Sequence, residues 1–219
     1  MAPRHTLTAE LDRLSLDVKN MGRLAYEAVE QCLKAMNHQD VALADSVIAR
    51  DQDLNQNEAL LDERAVNVIA TQHPVATDLR KVLACIKVAT DLERIGDLAV
   101  EVAKSVIQID GQDLASEGKT LEKMGKDSLD MVVQSLQSFQ ALDITKALQL
   151  EKMDHQLDQQ YEQTIHTLMR HSRADQATAP QLLQLAYIAR SIERIGDHCT
   201  NISEQVLFAV KGERYDLNP

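Results

Sequence analysis

Two identical pentapeptides, Glu93-Arg94-Ile95-Gly96-Asp97 and Glu193-Arg194-Ile195-Gly196-Asp197, carry the residues best suited to chemistry in this chain. In each, the two acids stand four positions apart. On an α-helix that spacing puts them about 40° apart around the axis and about 6 Å along it, so their carboxylates are neighbours. Glu101 extends the first row, and Asn201 takes that place in the second. Two preceding stretches hold further rows: Asp51, Asn55, Glu58 and Asp62 in one, Asp154, Asp158 and Glu162 in the other. Packed beside the pentapeptides, these rows would surround a cation with oxygen. Oxygen ligation without nearby His or Cys suits divalent or trivalent hard cations such as iron, Mn, Mg or Ca, and does not suit structural zinc.

The competing explanation is a solvated acidic face with ordinary i,i+3 ion pairs such as Asp97–Arg94 and Glu193–Arg190. Gly96 and Gly196 weigh against it, because a glycine inside a helix costs about 1 kcal/mol relative to alanine and needs a reason. Close approach of another backbone or a ligand supplies one, and relief of packing supplies another. Arg94 and Arg194 offer groups for an anion such as phosphate, but an arginine beside two acids more often serves as their counter-charge.

Enzyme chemistry finds little support. The seven histidines form no H-E-x-x-H pair, and none has a glutamate three residues before it, as the helical di-iron oxidases require. There is no G-x-x-x-x-G-K-[ST] loop and no dinucleotide glycine pattern. A net charge of −11 opposes nucleic acid as a partner. Cys32, Cys85 and Cys199 are widely separated and odd in number, which suits reduced, structural thiols in a cytoplasmic protein. The first residues lack the apolar block of a signal peptide, and no stretch reaches the roughly 20 apolar residues of a membrane span.

The elements that must position the acids are helices. Aromatic residues make up only 3%, and 7 Gly and 4 Pro punctuate 219 residues. Apolar spacing divides the chain into six helical stretches: about Thr8 to His38, Asp40 to Gln72, Thr77 to Ile109, Lys119 to Ala141, Asp143 to Arg170, and Pro180 to Lys211. Asp40 and Asp143 are the expected N-caps, and Gly111 and Gly118 bracket the main linker. The sequence also repeats. A shift of 103 residues places Met21-Gly22 on Met124-Gly125, Leu33 on Leu136, Asp51 on Asp154 and Leu54 on Leu157; after the loops a shift of 100 superposes the pentapeptides. The expected fold is all-α, with tandem pseudo-symmetric three-helix bundles spanning residues 1–110 and 111–219.

The doubled pentapeptide, the Arg190-Ser191-Ile192-Glu193 lead-in, the Met-Gly pair in each first helix and the closing Val210-Lys211-Gly212 together resemble the PhoU family of phosphate-transport regulators. The resemblance covers nearly the whole chain. It implies metal clusters held through E(D)-x-x-x-D residues, here Glu93, Asp97, Glu193 and Asp197, and frequent homodimerisation. It also implies negative regulation of phosphate uptake and of the phosphate-starvation response. The implied partners are the ATPase subunit of a Pst-type phosphate ABC transporter and a PhoR-type sensor histidine kinase, so membrane association would be through partners only. Asn55 departs from the acid at Asp158, so the two sites are not expected to be equivalent. The rival expectation is a carboxylate-rich metal-storage or redox bundle.

Overall fold

The structure is a computed structural model that describes residues 4–109, 115–174 and 179–218. They form six α-helices: α1 (Arg4–His38), α2 (Val41–Gln72), α3 (Ala76–Ile109), α4 (Ala115–Ala141), α5 (Ile144–Ala174) and α6 (Ala179–Lys211). Among the described residues no helix is long and apolar enough to cross a membrane.

Local chemistry explains the breaks. The Asp40 carboxylate accepts the Leu43 N–H at 2.9 Å, and the Asp143 carboxylate accepts those of Thr145 and Lys146 at 2.9 and 3.2 Å, so each satisfies otherwise unpaired amides of the first turn. His73 ends α2 in the left-handed region at φ 49°, ahead of Pro74. Three boundaries differ from the sequence expectation, and one of them is the end of α5, which runs on to Ala174 past the expected Arg170. α1 starts at Arg4, and α4 starts at Ala115, so Gly118 lies inside a helix rather than closing a linker. A single glycine among Ala, Ser, Glu and Lys costs less than ending the helix there. Gly111 and the expected boundary at residues 110 and 111 lie outside the described residues.

Helices α1, α2 and α3 pack on one another, as do α4, α5 and α6, and the halves join through α3 against α6 and α1 against α4. α3 and α6 are buried along most of their length, and Leu92, Ile95, Ala99, Ile192, Ile195 and Cys199 are fully enclosed. The α1–α4 contact is a pair of reciprocal sockets. A Cβ on Gly22 would stand 2.5 Å from a Leu136 methyl carbon, and one on Gly125 would stand 2.5 Å from a Leu33 methyl carbon. The buried face of α4 also carries Ser128, Ser135 and Ser138, whose hydroxyls donate to carbonyls three residues back and so need no partner outside the helix. The three cysteines are buried free thiols.

Candidate metal centre

In the second half, α5 supplies Asp154 and Asp158, and α6 supplies Glu193 and Asp197. Asp154, Asp158 and Asp197 each place a carboxylate oxygen within 4.8 Å of the other two. Asp154 is only 1% exposed, and neither of its oxygens has a hydrogen-bond partner among the described residues. Glu193, 8% exposed, accepts from Arg190 Nη1 at 2.5 Å through one oxygen, and its other oxygen is buried without a partner. Burial, followed by repulsion from Asp158, Asp197 and Glu193, pushes the Asp154 carboxyl up to about 7. Burial, then Asp197, pushes Glu193 to about 7 despite the opposing charge of Arg190. Asp158 is also raised, by burial and then by Asp197.

Buried carboxylates facing one another without donors are costly unless a positive charge joins them. Gly196 makes the arrangement possible, because a Cβ there would lie 2.7 Å from a Leu157 methyl carbon and 3.2 Å from Asp154 Oδ1. The all-oxygen donor set and the unpartnered Asp154 carboxylate fit a hard cation.

The first half repeats the plan with compensation built in. Burial and then Asp97 raise Glu93, with Glu58 and Asp51 adding to the effect; burial and then Asp97 also raise Asp51. These four acids therefore share one field. Asn55 donates to Asp51 at 3.3 Å, and Arg94 reaches both Asp97 at 3.0 Å and Glu93 at 3.5 Å. An amide and a guanidinium thus offset this charge, whereas in the second half Arg190 reaches Glu193 and both Asp154 oxygens stay without a donor. At Gly96 the close approach is a leucine alone: a Cβ would meet Leu54 Cδ1 at 2.5 Å. Arg94 and Arg190 serve as counter-charges, and Arg194 lowers Glu193 more weakly than Arg190 does.

The remaining row members lie at the edges of these clusters or outside them. Glu101 leaves the Glu93–Asp97 ridge and accepts from Ser191 Oγ at 3.1 Å across the α3–α6 contact. Each i+4 step advances about 40°, so two steps from Glu93 carry the side chain from the α2 side toward α6. Glu58 accepts from Thr90 Oγ1 at 2.8 Å. Asp62 lies a turn beyond Glu58, raised by burial and then by that neighbour. Glu162 is exposed, acting on Asp158 only as a nearby charge.

Several features escaped the sequence reading. Arg190 lies 5.7 Å over the Tyr161 ring, the counterparts of Thr90 and Glu58 in the first half. Asp91 takes His198 Nδ1 at 3.0 Å and Asn201 Nδ2 at 3.2 Å. Asn218 donates to Asp197 Oδ1 at 2.7 Å, and no helical periodicity signals that contact.

The PhoU domain model matches the chain twice, over residues 18–106 and 121–206, with one acidic pentapeptide in each match. The chain belongs to the PhoU family. It is 35% identical over 215 residues to the phosphate-specific transport system accessory protein PhoU of Edwardsiella tarda, covering 97% of this chain and 88% of that one. With the protein of that name from Escherichia coli K12 it shares 35% identity over 207 residues, 94% of this chain and 86% of the relative. Among solved structures, PhoU from Pseudomonas aeruginosa superposes with a TM-score of 0.91 at 32% identity, covering 94% of this chain and 99% of that one. The phosphate transport system regulatory protein PhoU from Streptococcus pneumoniae gives 0.90 at 30% identity, covering 96% and 99%. The PhoU fold thus accounts for nearly the whole chain, including the pairing of α2 with α3 and of α5 with α6 that builds both acidic clusters.

Proposed function

We propose that this chain is a regulatory accessory protein of phosphate uptake that works by docking and not by turnover. In this reading it couples the ATPase subunit of a Pst-type phosphate ABC transporter to a PhoR-type sensor histidine kinase and restrains the phosphate-starvation response. The observation that carries the proposal is the near-full-length likeness to phosphate-specific transport system accessory proteins. A net charge of −11 on a body of long helices suits encounter with basic surfaces, where electrostatics speeds association and orients the partners. Hard cations held by Asp154, Asp158, Glu193 and Asp197, and by Asp51, Asn55, Glu93 and Asp97, would stiffen the contact of α5 with α6 and of α2 with α3.

Deleting the gene in its host is the direct test. Phosphate-starvation genes are expected to switch on in phosphate-rich medium, and unchanged reporter expression overturns the reading. The three-carboxylate cluster favours one rival, a metal-storage or redox bundle. That rival predicts an oxygen- or peroxide-dependent absorbance change in protein loaded with ferrous iron, whereas the adaptor predicts none.

A further inference from the structure

Beyond α6 the polypeptide doubles back. Gly212 adopts φ +80°, a conformation glycine takes without a steric penalty, and packs against the Arg80 guanidinium. Lys211 Nζ meets Tyr215 Oη at 3.2 Å, and that hydroxyl donates to Glu213 at 2.9 Å, which stiffens the turn. The segment then runs back along α6. Leu217 is 4% exposed, and its N–H donates to Glu204 Oε1 at 2.9 Å. Asn218 reaches Asp197, fourteen residues or about 21 Å before Lys211 along the helix, and donates to its carboxylate at 2.7 Å.

We infer that residues 213–218 are part of the second acidic site, with Asn218 supplying a carboxamide oxygen to a cation held there. The inference rests on the metal-site reading above and extends it to a segment outside the repeated helices. A primary amide presents NH₂ on one side and a carbonyl oxygen on the other. Facing bare carboxylates, Asn218 donates; facing a cation, a half-turn about its broad terminal torsion presents oxygen. The backbone need not move for that exchange, because Leu217 and Glu204 anchor the segment independently of Asp197. Hard-cation sites commonly mix carboxylates with amide oxygens. The first half already has such a group in Asn55, bonded to Asp51. The second half has Asp158 at that helical position, and Asn218 restores the missing amide from outside the repeat. Each centre thereby has one carboxamide, delivered by a different route.

The test uses the full chain carrying Glu93→Gln and Asp97→Asn to silence the first site, with Mn²⁺ binding followed by calorimetry. Adding Asn218→Leu, which keeps the shape and removes both polar atoms, is expected to weaken Mn²⁺ binding about ten-fold. Asn218→Asp, which restores an oxygen, is expected to bind at least as tightly as the starting protein. Independently, saturating Mn²⁺ is expected to slow tryptic cleavage after Arg214 about ten-fold in the Asn218 protein and to leave it unchanged in Asn218→Leu. If Asn218→Leu binds Mn²⁺ as tightly as Asn218, or more tightly, this inference fails while the metal site stands. A starting protein that takes up no Mn²⁺ overturns the metal-site reading, and the inference with it.

Discussion

Ser191 donates to Glu101 across the α3–α6 contact at 3.1 Å, and this bond is the mirror in sequence of the one from Asn201 to Asp91 at 3.2 Å. With the two copies offset by 100 residues, exchanging the halves brings one pair of positions onto the other, although in both bonds α6 donates and α3 accepts. α3 and α6 therefore run antiparallel about a local two-fold axis. The midpoints of the paired positions fall at Gly96 and Gly196, so the axis passes beside both pentapeptides. The side chains obey the symmetry only in part, because Asp91 also receives His198.

That imbalance predicts unequal mutational costs. Asp91→Ala leaves His198 and Asn201 without their shared acceptor and is expected to destabilise the protein by about 1–3 kcal/mol. Glu101→Ala removes one hydrogen bond from an exposed side chain and is expected to cost below about 1 kcal/mol. Urea unfolding of both variants checks the order, and equal costs would contradict it.

The acid clusters predict a pH profile for chelator-treated protein. Asp154 and Glu193 titrate at about 7 in the folded state and near 4 in an unfolded chain. Between those values the folded protein keeps protons that the unfolded chain has lost. The contribution of these groups to stability is thus complete below about pH 4 and lost as pH rises through about 7. The melting temperature is expected to fall from pH 5 to pH 8, to recover at pH 8 on adding Mn²⁺, and to vary less with pH in Asp154→Asn. A profile that is flat for both proteins would remove the bare-carboxylate description.

Metal content gives the most direct check of the two centres. Glu93→Gln and Asp197→Asn are each expected to lose cation from their own half while keeping wild-type helicity, as read by elemental analysis and circular dichroism. Equal occupancy in wild type and both variants would dismiss the assignment.

The α1–α4 sockets predict a coupling. Gly22→Ala gains helix propensity worth about 1 kcal/mol but drives a methyl group into Leu136, where overpacking costs about 1–3 kcal/mol. The net expectation is a loss of stability that shrinks when Leu136 is already alanine. A double-mutant cycle with no interaction energy would show that the leucine simply steps aside.

Much of this architecture was legible in the residues. The N-caps at Asp40 and Asp143, the break at His73-Pro74, the paired pentapeptides and the rows on α2 and α5 all follow from local rules of spacing and capping. What local rules do not carry is direction in space. The Glu101 row looked continuous because i+4 spacing is nearly straight over one step, yet two steps turned it onto another helix. Gly96 and Gly196 signalled a close approach without naming Leu54 or Leu157, since a missing side chain says nothing about what fills its place. Asn218 left no trace at all, because its partner is twenty-one residues away and joined to it by a turn.

The reciprocal seating of Leu33 on Gly125 and of Leu136 on Gly22 bears on how such a chain could have arisen. A polypeptide encoding just one repeat would carry both knob and hollow, together with the self-complementary ridge now shared by α3 and α6, and so would hold every surface required to pair with its own twin. Fusing two such genes would add no new interface. It would free each copy to drift, giving one centre an amide from its own helix and the other a borrowed asparagine.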